Sequence, residues 1–143
     1  YNAESIKEQY QKLTTAFEGC KTTFFYACKA LTNMNILRYI NGLGANIDCS
    51  SINEIYLAMQ AGFRPEQVIF TSNGVLFDEV IEAVRIGVHV NIDNLSTLRK
   101  FGERYGENYP ASVRLRPNIM AGGNINIVKG HENSKIGIPI AQI

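Results

Sequence analysis

Tryptophan is missing from this 143-residue chain, and proline, cysteine and methionine are scarce at four, three and three. An excess of charge of one sign is missing too. The formal net charge is +1, with no basic block and no interleaving of basic and aromatic residues, so the electrostatic footprint of a nucleic-acid binder is absent. No apolar run approaches the length of a membrane span, and no charged-then-apolar leader opens the chain. Cys20, Cys28 and Cys49 are an odd set without metal-type spacing, which predicts a reducing, cytoplasmic setting and no disulfide framework. Cys28 and Cys49 read as small core residues near strand ends. What is present is 45% hydrophobic and 19% charged residues, enough apolar material for the core of one ordinary domain. Both ends read as cut. The chain opens on Tyr1, and it closes on Ile138-Pro139-Ile140-Ala141-Gln142-Ile143 with no terminating element.

Apolar residues alternate between helical and strand periods along the chain. Ile6, Tyr10, Leu13 and Phe17 form a helical stripe over residues 3–18, with Asn2 as N-cap and Gly19 as stop. Residues 22–30 read as a strand, and Met34, Leu37 and Ile40 then give a short helical face closed by Gly42. Residues 45–49 are a second strand ending in Asp48 and Cys49, and Ser51 with Glu54 has the spacing of a capping box. The next helix runs to Gly62. A third strand over 67–71 is followed by the turn residues Ser72-Asn73-Gly74. A helix over 77–86 turns Val80, Ile81 and Val84 inward and ends at Gly87. Residues 88–92 form a fourth strand, and Asp93 or Asn94 caps a helix carrying Leu95, Leu98, Phe101 and Tyr105. Gly102 weakens that helix by roughly 1 kcal/mol relative to alanine. Residues 111–116 form a fifth strand that Pro117 ends, and 118–135 read as a long loop.

Strand ends therefore fall at Lys29, Asp48, Thr71, Ile92 and Arg114, about every twenty residues. The regular alternation predicts an α/β fold with a parallel sheet. An open doubly wound sheet and a (β/α)8 barrel both fit that order. The open sheet normally has a glycine-rich phosphate turn after its first strand, where this chain has Lys29-Ala30-Leu31-Thr32-Asn33. A complete barrel takes about 250 residues, so a barrel reading makes this chain roughly its first five strands. Either way, functional groups belong at the C-terminal strand ends, where Lys29, Asp48 and Arg114 stand.

Lys29 draws attention because Phe24 to Cys28 and Ala30 surround it with apolar side chains. A buried unpaired ammonium is costly, so the site needs a partner or a neutral amine. Two readings follow from composition: a nucleophilic amine at a strand end, or a lysine that snorkels to water where its strand stops.

The residues around it carry a resemblance. Tyr26-Ala27-Cys28-Lys29-Ala30-Leu31, followed at the right spacing by Ile36-Leu37, Ile40 and Gly44, resembles the cofactor-lysine signature of the group IV pyridoxal-phosphate decarboxylases. Further matches follow in order: residues 43–51 with Glu54 beyond them, Phe70-Thr71-Ser72-Asn73-Gly74, Asn91-Ile92-Asp93-Asn94-Leu95, and Val113-Arg114-Leu115-Arg116-Pro117. Glu132-Asn133-Ser134-Lys135-Ile136-Gly137 is similar to a Ser-Lys-Phe-Gly stretch, with Ile136 replacing the usual phenylalanine.

That resemblance implies an alanine-racemase-like (β/α)8 barrel, truncated here after about five strands, with residues 1–143 as its N-terminal part. It implies pyridoxal 5′-phosphate as cofactor, with Lys29 holding it as a Schiff base, and a small amino acid as substrate. Members that act on meso-diaminopimelate to release lysine and CO2 are the nearest in pattern. Ornithine, arginine or carboxynorspermidine decarboxylation, and a non-catalytic cofactor carrier on the same barrel, are the alternatives. Asp48 is implied beside the lysine, with a helix-cap or strand-end carboxylate as its plain reading. Arg114 is implied beside the cofactor ring, against an ordinary ion pair. Glu54 is explained by its capping box. Arg116 carries no implied role, His131 reads as a loop residue, His89 as a hydrogen-bonded wall residue, and Lys135 as a residue near a subunit boundary. The family's ring-stacking histidine, glycine-rich phosphate loop, acidic partner of the pyridine nitrogen and C-terminal β domain have no counterpart in these residues. A cytoplasmic homodimer is expected of the intact protein, and inactivity of the 143 residues alone.

Overall fold

A computed structural model describes residues 1–119 and 136–143 of the chain. The predicted loop over 118–135, with His131 and Lys135, lies outside the described residues beyond Ile119.

Helix α1 (Ala3–Ala16) starts where the Asn2 side chain accepts the Glu4 N–H at 3.0 Å. Strand β1 (Phe25–Ala27) is shorter than the apolar run suggests, because Cys28–Ala30 tightens into a 3₁₀ turn. Helix α2 (Met34–Gly42) is capped by Asn33, whose Oδ1 accepts from the N–H groups of Asn35 and Ile36. Strand β2 (Asn46–Cys49), helix α3 (Ile52–Gln60), strand β3 (Val68–Thr71), helix α4 (Phe77–Ile86), strand β4 (His89–Ile92) and helix α5 (Leu95–Tyr105) follow. Asn94 is the cap of α5, its Oδ1 accepting the Thr97 N–H at 2.8 Å. In α4 the buried side chains are Val80 and Ala83, while Ile81 and Val84 are half-buried.

Strand β5 (Ala111–Val113) completes a five-stranded parallel sheet in the order β1-β2-β3-β4-β5. Each strand lies beside its predecessor, with no reversal of order. That excludes the doubly wound arrangement, whose strand order switches direction, and matches consecutive strands of a barrel.

The predicted fifth strand over 111–116 divides. Its ladder to β4 ends with the Arg114 N–H donating to the Ile92 carbonyl at 2.7 Å. Strand β6 (Leu115–Arg116) then pairs in parallel with β7 (Ile138–Pro139) as a separate two-stranded sheet. The closing residues, expected to lack any terminating element, thus contribute a strand and a 3₁₀ turn over Ile140–Gln142. Gly137, at φ +90°, makes the contact possible. A Cβ there would meet Arg114 O, Arg116 N and Leu115 C, all at 3.3 Å.

The faces of the main sheet differ sharply. Ile47, Cys49, Val68, Phe70, Val90 and Ile92 are at most 1% exposed and form the core with Ile55 and Ala58 of α3 and Val80 and Ala83 of α4. Burying each large member of this set contributes about 1.5–3 kcal/mol. The alternate positions, Asn46, Asp48, Ile69, Thr71, His89, Asn91 and Ser112, are half-buried and mostly polar. Strand period alone separates the two sets.

Candidate functional site

The C-terminal ends of the parallel strands form one rim. Register places Ala27, Asp48, Ile69 and His89 in one row across the sheet, and Thr71, Asn91 and Ser112 in the row nearer the rim. Lys29 lies two residues beyond Ala27, on the 3₁₀ turn that ends β1, so it stands at the rim one strand from Asp48. The apolar run around Lys29 implied a charge enclosed by side chains; the structure corrects this. The strand stops at Ala27, the turn sends Cys28 into the core, and Lys29 is left exposed. An exposed amine needs no buried counter-charge.

Asp48 is the reverse case. Its Oδ1 is buried and has no hydrogen-bond partner among the described residues. No ion pair within 4.0 Å joins it to Lys29 among the described residues. The structure therefore brings the two to neighbouring strand tips without bonding them. A buried carboxylate oxygen without a donor is normally compensated, which marks this tip as a place where a polar group belongs.

Arg114 occupies the same rim on the far side, at the break between β5 and β6. Its backbone is held by Ile92 and by Ile138, whose N–H donates to the Arg114 carbonyl at 2.8 Å. With neighbouring strands about 4.8 Å apart, β1 and β5 are separated by the width of the sheet. Lys29 and Arg114 thus bound the rim from opposite ends. Arg116 lines a small cavity of about 240 Å³ with Asp93, Asn94 and Gly137. Arg116, to which the resemblance gave no role, thus stands beside a concavity.

The polar face below the rim is hydrogen-bonded. His89 Nε2 and Ser112 Oγ are 2.6 Å apart, in keeping with a wall residue. Ser72, 1% exposed, donates from Oγ to the Asn91 carbonyl at 3.3 Å. These partners escaped the sequence reading, although alternate polar positions on otherwise apolar strands were the signal for them.

Glu54 does more than close a capping box. Ser51 Oγ accepts the Glu54 N–H at 3.3 Å as expected, but the return bond goes elsewhere. Glu54 Oε2 accepts from the Ser50 N–H at 2.6 Å and from Ser50 Oγ at 3.0 Å. The carboxylate also reaches the two buried thiols, Cys28 and Cys49, with all three donor atoms within 4.8 Å of one another. Cys49 hydrogen-bonds to Cys28, which lowers the Cys28 thiol's pKa and, with burial, raises that of Cys49. Tyr26 on β1 donates its hydroxyl to the Leu31 carbonyl at 3.1 Å, and burial raises its pKa.

A concavity of about 530 Å³ lies between α1, β1 and α2 and is lined by Tyr10, Leu13, Phe24, Tyr26, Ile36 and Leu43 among others. It is apolar and borders the edge of β1 that has no strand beside it among the described residues. The polar chemistry is at the rim instead.

Consecutive parallel strands covered by helices on one face, with a lysine and a carboxylate at adjacent C-terminal tips, define part of a (β/α) barrel whose site lies on that rim. Over residues 3–143 the chain matches the family model of the pyridoxal-dependent decarboxylase pyridoxal binding domain, and it belongs to that family. It is 39% identical over 135 residues to a diaminopimelate decarboxylase of Methanothermobacter thermautotrophicus, covering 93% of this chain and 32% of that protein. The solved diaminopimelate decarboxylase of Helicobacter pylori, complexed with L-lysine, superposes with a TM-score of 0.88 at 29% identity, over 99% of this chain and 37% of that one. The M. jannaschii diaminopimelate decarboxylase, in co-complex with L-lysine, has the same fold at a TM-score of 0.82 and 24% identity, over 99% of this chain and 35% of that one. The chain spans about a third of the length of these proteins.

The residues present fit a pyridoxal group. An exposed amine at the rim is free to meet an aldehyde, and the unpartnered oxygen of Asp48 lies one strand away to receive a donor.

Proposed function

We propose that this chain is the lysine-bearing N-terminal part of a pyridoxal-phosphate-dependent decarboxylase that converts meso-2,6-diaminopimelate to L-lysine and CO2. The observation that carries this reading is Lys29 and the orphaned Asp48 oxygen at neighbouring strand tips, in a chain 39% identical to a diaminopimelate decarboxylase. Pyridoxal phosphate, when bound, supplies an electron sink for the bond that releases CO2.

The chain's own residues supply position. Lys29 carries the cofactor through its side-chain amine. Asp48, held in a strand register with Ala27 on one side and Ile69 on the other, accepts a hydrogen bond from that amine when it is free and aims it. Arg114, on the same rim, would stand beside the cofactor ring. The half-buried polar row of Thr71, Asn91 and Ser112 floors the site, and the helix-covered apolar face behind it keeps the strands rigid. The remaining barrel strands and a C-terminal β domain complete the site in the intact protein, which acts in the cytoplasm as a homodimer.

Borohydride reduction of the intact protein loaded with pyridoxal phosphate, followed by peptide mapping, tests the cofactor claim. The adduct is expected on Lys29; an adduct only elsewhere overturns it. Release of CO2 from meso-diaminopimelate tests the substrate. Faster release from ornithine or arginine overturns that assignment and leaves the cofactor assignment standing.

A further inference from the structure

Three donor atoms that the proposed reaction does not use converge behind the lysine. Cys28 and Cys49 are fully buried, and Glu54 is half-buried in the first turn of α3. One sulfur from each cysteine and one oxygen of Glu54 lie within 4.8 Å of one another. Register explains the meeting: β1 and β2 are parallel with Ala27 opposite Asp48, so the next residues, Cys28 and Cys49, are brought together.

The donor set has the features of a soft-metal site. Metal–sulfur bonds of about 2.3 Å and metal–oxygen bonds of about 2.0–2.2 Å put the ligand atoms of one tetrahedral zinc ion roughly 3.5–3.8 Å apart. The observed triangle reaches that size with small rotations of side chains. Glu54 is already oriented, since Ser50 holds Oε2 with both its N–H and its hydroxyl. Ligating carboxylates are commonly held by such outer hydrogen bonds. Two thiols with a single carboxylate select zinc-like ions over magnesium or calcium, which require sets of oxygen ligands. A disulfide would use the two sulfurs but not the Glu54 carboxylate beside them.

We propose that Cys28, Cys49 and Glu54 form a binding site for one thiophilic divalent cation, of the zinc and cadmium class, on the helix-covered side of the β1 and β2 tips. Binding forms two metal–sulfur bonds and one metal–oxygen bond, releases the two thiol protons to solvent, and leaves the fourth position to water. Cys28 precedes Lys29 and Cys49 follows Asp48, so an occupied site ties together the two strand tips that hold the lysine and the carboxylate. The site stands on its own donor geometry and does not depend on the cofactor reading.

Titration of the reduced intact protein with cadmium alone, followed by the ultraviolet sulfur-to-cadmium charge-transfer band, tests it. One cadmium per chain is expected on this site. Cys28→Ala and Cys49→Ala are each expected to lose that band, Glu54→Gln to weaken affinity by about tenfold or more, and Cys20→Ser to leave it unchanged. Absence of the band from the parent protein, or its persistence in both cysteine variants, overturns the proposal.

Discussion

The two faces of the five-stranded sheet are made from alternate residues of the same short strands, yet they do different work. On β2, Ile47 and Cys49 face the helices at 0% exposure, while Asn46 and Asp48 face the other way and are half-buried. Strands β3 and β4 repeat the division, with Phe70, Val90 and Ile92 opposed to Thr71, His89 and Asn91. Parallel sheets buried on both faces carry apolar residues on both. Here one face packs on the helices of this chain, and the other, which faces the interior of a (β/α)8 barrel, carries mostly polar groups. Stability and function are therefore separable, residue by residue.

Lys29→Ala is the most severe test of that separation. Activity of the intact protein is expected to fall by about 10²–10⁴-fold or more, whereas the urea midpoint of the cofactor-free protein moves little, because no packed apolar group is lost. A large midpoint shift would break the comparison. Next in size is Phe70→Ala on the helix-covered face, expected to cost about 3–5 kcal/mol in urea unfolding through the cavity it leaves. Ile69→Ala, on the half-buried face one residue earlier, is expected to cost clearly less; equal costs would show that both faces bear the fold alike.

Asp48→Asn sharpens the comparison. It removes a carboxylate with a buried unpartnered oxygen, so the urea midpoint is expected to stay level or rise, while turnover falls by about tenfold to a hundredfold through misplacement of the lysine. A loss of stability with normal turnover would assign Asp48 to the structure alone.

The smallest effect is expected on the outer helix surface, away from both faces. Glu82 accepts two hydrogen bonds from Arg85, at 2.7 and 2.6 Å, and one from Tyr56 at 2.9 Å. These, led by Arg85, pull its pKa down from 4.5 to about 2. A carboxylate lowered in the folded state adds stability above its unfolded pKa and loses it as pH falls through the folded value. The contribution is thus present above about pH 4.5 and fades toward pH 2. Solvent and salt screen the pair, since the Arg85 side chain is 73% exposed. Glu82→Gln is expected to lower stability slightly at neutral pH, to flatten its loss between about pH 4.5 and pH 2 and to leave activity unchanged, as followed by circular dichroism.

Local rules read most of the fold from the sequence. Asn2, Asn94 and the Ser51 hydroxyl cap helices as their types and positions predict, and Gly62 and Gly87, at φ +96° and +91°, end them. Alternating apolar residues marked the core strands, and the strand ends at Asp48, Thr71 and Ile92 lie where they were expected. Three features were out of reach for a common reason. The split of the fifth strand depends on Ile138 bonding the Arg114 carbonyl. The second role of Glu54 depends on Ser50 and on thiols from two strands. The unpartnered oxygen of Asp48 depends on what its neighbours fail to supply. Each turns on tertiary neighbours rather than on any residue's own preference.

Residue order by itself settled the order of the five helices and the strands of the main parallel sheet, the position of Lys29 just past the first strand and its likeness to a cofactor lysine. These rest on periodicity, caps and spacing, all of which act within a few residues along the chain. Only the tertiary structure decided that Lys29 is exposed rather than enclosed, that it stands beside Asp48 without a bond to it, and that Cys28, Cys49 and Glu54 meet. Those outcomes depend on strand register, and register is chosen by the packing of whole faces against helices, not by any residue's own preference.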